Sequence, residues 1–291
     1  MRLRDRTGTI GARLTVCLLF LCLSVLLQAC APSGGDGAGA GEAAKTSEPA
    51  KEQGLNVWFF ACSQDADSIL LQTEEATVMI DTGLEEDSDA LIRKLRELGV
   101  ERVDLLILTH PDKDHIGGAL RLLEEFRILQ VMQTACDKGS ALQDQLDLRL
   151  EGETVTIPDK RTPLELDGLH LTIYPPVEGE YDNANNYSLA VLAEYEGCTF
   201  FFPGDAKKKR IRELLQEDLP KVDVYKAAHH GRDNGGSDDL IERLSPQIAV
   251  ITAEDAEKET KEALEAAGSA VYTTRGQDIH ITVVNGVLDV R

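Results

Sequence analysis

The chain has 291 residues, and its 51 acidic side chains outnumber 30 basic ones for a net charge of −21 at pH 7. That balance favours solubility and disfavours non-specific attraction to nucleic acid or to anionic lipid. Beyond Cys30 only Cys62, Cys136 and Cys198 remain, an odd and scattered set without C-x-x-C that excludes a disulfide-stapled scaffold and reads as buried free thiols.

The N-terminus carries Arg2, Arg4, Arg6 and Arg13, then an uncharged apolar run over 14–27, and Ala29 precedes Cys30. These are the basic and apolar regions of a secretory signal. The order Leu27-Gln28-Ala29-Cys30 resembles a bacterial lipoprotein signal, which implies a signal peptide over 1–29 and a lipidated Cys30. The alternative is an uncleaved anchor, because 14–31 is uncharged and long enough to span. Either way the chain is expected outside the cytoplasm, tied to the bacterial cell membrane. Residues 30–54 are Gly, Ala, Ser, Pro, Glu and Lys with almost no large apolar side chain, a composition that makes a flexible tether. Residues 55–291 suffice for one large domain with its own core.

In that domain 57–61, 68–72 and 76–80 read as strands, the third ending in the Asp81-Thr82-Gly83 turn. An amphipathic helix over 88–98, stopped by Gly99, precedes an apolar strand over 103–108. This strand feeds His110-Pro111-Asp112-Lys113-Asp114-His115-Ile116-Gly117-Gly118. Two imidazoles and two carboxylates within six residues of a strand end can converge on one point, as a metal requires. A solvated acidic turn accounts for any one of them better than for the set. Gly117 and Gly118 let the backbone close round the site before a helix over 119–126.

Further on, 128–133 reads as a strand, 142–150 as a helix, and 154–157 and 169–174 as short strands; His170 alternates with Leu169 and Leu171 and should face solvent. Asn185-Asn186-Tyr187-Ser188 leads into a hairpin, 189–195 and 198–202, turning at Glu196-Gly197. The hairpin ends in Pro203-Gly204-Asp205, where a carboxylate after a very apolar strand is costly without a partner. Lys207-Lys208-Lys209-Arg210 opens a helix over 211–215, as a solvated face or as a contact for an anionic substrate. A strand over 222–228 delivers His229-His230-Gly231, a second metal signal. A strand over 248–252, a helix over 257–267 and strands over 270–273 and 279–284 complete the chain, with His280 structural. Four of the six histidines thus fall in two strand-end loops beside strand-end aspartates. The repeated order of strands, helix, strand and loop implies two mixed sheets covered by helices.

Together Asp81, the His110-x-Asp112-x-Asp114-His115 loop, Asp205 and His229-His230-Gly231 resemble the metallo-β-lactamase fold. The resemblance covers residues 55–291 and implies an α/β fold, a four-layer αβ/βα sandwich with a binuclear metal site along one edge. The strings H-P-D-x-D-H-I-G-G, N-x-S-L, F-P-G-D and H-H-G resemble more closely the metallohydrolase domain of ComEC-type competence proteins. By this resemblance His110 and Asp112 hold one divalent ion, Asp114 and His115 the other, and Asp205 bridges them. One of His229 and His230 completes the second site, and the other is a proton donor or phosphate contact. Asp81 orients ligands from behind them.

Three departures from the family pattern stand out. Asp112 replaces a histidine, Asn186 or Ser188 stands where the family supplies another, and 61–68 matches only loosely a glycine-bearing turn of the ComEC type. Oxygen in place of nitrogen makes the site harder, so Mn²⁺ or Mg²⁺ competes better with Zn²⁺. The expected activity is hydrolysis of phosphodiesters, with Asp114, Asp205, His229 and His230 as the catalytic set. Expected substrates are DNA or nucleotides, then an envelope phosphocholine ester, although the acidic surface counts against a general DNA binder. The alternatives are a lactone or β-lactam hydrolase and a non-catalytic metal-binding lipoprotein; no obligate protein partner is evident.

Overall fold

A computed structural model describes residues 2–3, 53–232 and 234–291. Cys30, nearly all of the expected signal peptide (1–29) and the tether (30–54) up to residue 52 lie outside the described residues.

The strands β1 (Leu55–Phe59), β2 (Ser68–Gln72) and β3 (Thr77–Thr82) form an antiparallel meander, and β4 (Leu105–Leu108), β5 (Val131–Gln133) and β6 (Val155–Thr156) extend it by parallel pairing. Helices α1 (Ser88–Glu97), α2 (Lys113–Ile116), α3 (Ala119–Glu125) and α4 (Ala141–Arg149) occupy the connections. A second sheet begins with the antiparallel strands β7 (Thr162–Leu166), β8 (Leu169–Tyr174), β9 (Ala190–Tyr195) and β10 (Cys198–Phe202). It continues in parallel through β11 (Val224–Lys226), β12 (Ile248–Ile251) and β13 (Ala270–Thr273), joined by α5 (Lys208–Leu214), α6 (Ser237–Leu244) and α7 (Lys258–Ala267). The chain then returns to the first sheet, where β14 (Ile279–Val284) pairs with β1 and with β15 (Val287–Val290). The orders are β6-β5-β4-β3-β2-β1-β14-β15 and β7-β8-β9-β10-β11-β12-β13, in sheets of eight and seven strands.

Strands buried on both faces carry continuous apolar runs because alternate side chains enter different cores. Val78, Ile80, Leu105, Ile107, Phe200 and Phe202 point between the sheets. Met79, Leu106 and Leu108 point to α1, α3 and α4, and Phe201 to α5, α6 and α7. The result is the expected αβ/βα sandwich. Its parallel segments, β3–β4 and β10–β11–β12, deliver their C-terminal ends to one edge, where α/β folds place their ligands.

Several local expectations resolve in physical terms. The β9–β10 hairpin turns at Glu196 (φ 47°) and Gly197 (φ 85°), the paired positive φ of a two-residue type I′ turn. His170 is exposed, and His280 is structural: its ring stacks on Trp58 at 3.7 Å between centroids, and Nε2 lies 2.9 Å from Asn56 Oδ1. Cys62 and Cys198 are free thiols and Cys136 is buried; burial, helped by Asp87, pushes the Cys62 thiol up to about 12. The basic run is not one solvated face. Arg210 is buried and donates to Ser188 O (3.0 Å), Tyr174 O (2.6 Å) and Glu213 (2.8 Å). Unanticipated elements are α2, in what read as a loop, β7, which tolerates Pro163 because it is an edge strand, and α6 and β15.

Candidate metal centre

Loops from both sheets meet at that edge, and local backbone geometry aims their side chains. In the β2–β3 ladder Ile69 pairs with Ile80 but Ser68 pairs with Thr82, so Asp81 is the extra residue of a bulge, with φ 58°. Bulges re-aim side chains in this way, and the Asp81 carboxylate turns inward beneath the next strand. It accepts hydrogen bonds from Thr109 N (2.7 Å) and Thr109 Oγ1 (2.6 Å), and lies 2.7 Å from Nδ1 of His115. After β4 the backbone turns into α2, which carries Asp114 and His115. Gly117 and Gly118 both have negative φ, so tight approach is what requires glycine here: a Cβ on Gly118 would stand 2.5 Å from Thr82 O. After β11, His229 (φ 51°), His230 (φ 57°) and Gly231 (φ 83°) make three successive left-handed residues. That conformation is strained for a side-chain-bearing residue, and it separates the two imidazoles.

The buried carboxylate of Asp205 is the hub. Its Oδ2 lies 3.3 Å from Nε2 of His115, 3.3 Å from Nε2 of His230 and 3.8 Å from Nε2 of His110. Asp114 Oδ2 lies 3.4 Å from His230 Nε2 and 3.8 Å from His115 Nε2. Ligand atoms of Asp114, His115, Asp205 and His230 all fall within 4.8 Å of one another. The Nε2 atoms of His110, His115 and His230 are buried, yet none makes a hydrogen bond. A buried ring nitrogen without a partner is costly; three of them round one carboxylate oxygen are the donor set of a divalent cation, so the residues fit a metal. Asp112 is at the rim, with Oδ2 3.9 Å from His110 Nε2 and Oδ1 bound by Lys138 Nζ at 2.8 Å.

Residues 64–253 match the family model of the metallo-beta-lactamase superfamily. The chain belongs to that superfamily. A curated relative, ComE operon protein 3 of Bacillus subtilis (strain 168), is 31% identical over 170 residues, covering 56% of this chain and 21% of that protein. Recombination protein 2 of Haemophilus influenzae is 26% identical over 152 residues, covering 52% of this chain and 18% of that protein. Both are competence proteins of the ComEC type, as the motifs led us to expect; this chain spans only about a fifth of their length. Among solved structures, the metallo-beta-lactamase fold protein YhfI from Bacillus subtilis superposes with a TM-score of 0.52 at 14% identity, over 82% of this chain and 100% of that one.

Within the superfamily frame, the electrostatics of the site follow from its charge count. Burial and the neighbouring His115 push His110 down to about 3, so this ring is neutral. Burial opposes a charge on His230, but Asp205 and Asp67 outweigh it and lift the ring to about 10. His115 is likewise held well above the usual range by Asp205 and Asp81 against the cost of burial. Despite burial, His230, His115 and Lys226 hold the Asp205 carboxyl well below its ordinary value. Without a metal, then, protons on His115 and His230 balance the carboxylates. His229 stays outside the cluster: burial pushes its half-buried ring down to about 4, and its Nδ1 has no hydrogen-bond partner.

Of the expected residues, the fold brings His110, Asp112, Asp114, His115, Asp205 and His230 together, with Asp81 behind His115. Ser188 lies behind Asp205, its Oγ accepting from Asp205 N at 3.1 Å. Asn186 is buried, and its side-chain oxygen accepts from Arg210 N at 3.2 Å. The neighbouring Asn185, not anticipated, donates to Asp205 Oδ2 at 3.2 Å. Asp67, Lys226 and Thr252 were also missed. Asp67 sits in the loosely matching segment 61–68, where an acidic residue just before a strand was the available signal.

Proposed function

We propose that the protein is a metal-dependent hydrolase of phosphodiesters, tethered outside the cytoplasm through a lipidated Cys30. The observation that carries the reading is the donor set itself: three imidazoles gather round Asp205, two of them, His115 and His230, also beside Asp114, with a further carboxylate, Asp112, beside His110. Two divalent ions in such a site would stabilise charge on a phosphoryl group as Lewis acids and make a nucleophile available at neutral pH. His110 and Asp112 would hold one, Asp114, His115 and His230 the other, with Asp205 common to both. Asp81 keeps Nε2 of His115 aimed inward by engaging Nδ1. His229, neutral and at the rim, is suited to hydrogen-bond a phosphoryl oxygen.

Charge at the rim favours an anionic substrate. In a chain of net charge −21, Lys138, Lys207 and Arg232 stand round the site, Lys138 paired with Asp112, Arg232 with Asp65, and Lys207 near enough to His229 to disfavour a charge on that ring. Such local cations steer anions despite an acidic surface elsewhere. Extracellular DNA or nucleotides are the first substrates to try, followed by a phosphocholine ester of the envelope.

The test is hydrolysis of bis(p-nitrophenyl) phosphate by the purified protein with Mn²⁺, with Zn²⁺ or with EDTA. Turnover that requires metal and is lost in Asp205→Asn is expected. Turnover of a lactone or β-lactam with no activity on the diester would replace this reading with the carbon-ester alternative.

A further inference from the structure

Behind the metal centre lies a buried cation that metal ligation does not use. The Lys226 side chain is wholly buried at the end of β11, and its ammonium is ion-paired with Asp67. It also stands 3.5 Å from Asp205 Oδ1 and 3.2 Å from Gly204 O, so all three of its donors have acceptors. Asp67 is as fully engaged. Its Oδ1 accepts from Thr252 Oγ1 at 2.5 Å and lies 3.2 Å from Nδ1 of His230, while its backbone N donates to Asp114 O at 3.1 Å. The Asp67 carbonyl accepts from Gly83 N at 2.7 Å. The pair joins the two sheets, Asp67 from the loop entering β2 and Lys226 from β11.

We propose that Lys226 and Asp67 act together as the positioning pair of the metal centre, Lys226 occupying Oδ1 of Asp205 so that Oδ2 alone faces the histidines, and Asp67 fixing His230 through Nδ1. The proposal rests on the metal-centre reading above. Stability alone is a weak reason to keep such a pair, since a buried ion pair costs much of its attraction in desolvation and apolar replacements are often neutral. Orientation is a better one. Asp205 Oδ2 lies within 3.8 Å of three imidazole nitrogens, and a rotation of that carboxylate would exchange the two oxygens. Lys226 opposes that exchange by charge and by hydrogen bonding. Asp67, with Thr252 Oγ1 3.1 Å from the same nitrogen, does for His230 what Asp81 does for His115, so both rings present Nε2. Outer partners of this kind set metal affinity as well as ligand direction.

The test compares the full chain with the double variant Lys226→Met/Asp67→Asn, which leaves no lone buried charge and retains an amide beside Thr252 and His230. Thermal unfolding of the metal-free proteins, calorimetric titration with Mn²⁺ or Zn²⁺ alone, and the visible spectrum of the Co²⁺ form are measured. The expected result is a metal-free midpoint close to wild type, a loss of metal affinity of roughly ten- to hundredfold and an altered Co²⁺ spectrum. Affinity within about twofold of wild type with an unchanged spectrum would overturn the proposal. Should the double variant not fold, Lys226→Gln, a neutral side chain that still reaches Asp67, is judged by the same affinity and spectrum; failure of both variants to fold without metal would make the pair a structural staple and also overturn it. A wild-type chain that binds neither ion overturns the metal-centre reading, and this proposal with it.

Discussion

At the scale of single residues, the site is a matter of which nitrogen of each imidazole is occupied. Asp81 engages Nδ1 of His115, and Asp67 with Thr252 engages Nδ1 of His230, which leaves both Nε2 atoms turned inward. His229 shares neither partner, so the two adjacent histidines should separate functionally. His230→Ala is predicted to weaken metal binding by at least about tenfold, as loss of a ligand should exceed loss of an outer partner. His229→Ala should leave metal affinity near wild type while lowering turnover; titration calorimetry beside steady-state kinetics distinguishes them. Equal loss of metal in both variants would contradict the assignment. The residues legible in the sequence were those in contiguous polar strings after apolar strands, because such a string is both a turn and a ligand set. Lys226 was not legible: inside the apolar stretch 222–228 a lone lysine reads as a solvent-facing residue. What buries it is Asp67, from the other sheet and far away in the chain.

At the scale of elements, the metal edge is built from strand ends, and α5 locks one of them. Arg210 reaches from α5 to the carbonyls of Ser188 and Tyr174 and to Glu213, fixing the segment that carries Asn185 and Ser188 against Asp205. Arg210→Ala would take the guanidinium from two carbonyls and the counter-ion from Glu213, which keeps Tyr181 Oη, Val177 N and Glu178 N as donors, so it is predicted to destabilise the domain by about 3 kcal/mol, measured by denaturant unfolding. A change below about 1 kcal/mol would show that the guanidinium is not a structural clamp. Its role was hidden by sequence context, since the three preceding lysines make a solvated helix face the natural expectation. Strands were more legible than helices. Two-sided burial gives the strands unbroken apolar runs, whereas α6 follows Gly235-Gly236 and offers only Leu240, Ile241 and Leu244 as its buried stripe.

At the scale of the whole molecule, both halves supply the site: the first sheet gives His110, Asp112, Asp114 and His115, the second Asp205 and His230. Closing the sandwich therefore gathers negative charge, and something positive must answer it. In the metal-free chain the answer is protons. His230, raised from 6.5 to about 10, contributes stability that is fully present below about 6.5 and lost as pH rises through about 10. The unfolding midpoint of the EDTA-treated protein is accordingly predicted to fall over that window. Because a metal needs the neutral ring, metal affinity should rise over the same window as fewer protons have to be displaced. A midpoint that stays flat between pH 6.5 and 10 would contradict this proton balance. With metal in place the midpoint should lie higher by mass action.

The most direct measurement of the central claim is a metal count on the full chain: equilibrium dialysis against micromolar Mn²⁺ or Zn²⁺, followed by elemental analysis, for wild type and Asp205→Asn. Two ions per chain in the wild type, with loss of one or both in the variant, are predicted. A folded wild-type chain that retains no divalent ion, or a variant that retains both, would contradict a binuclear centre organised round Asp205.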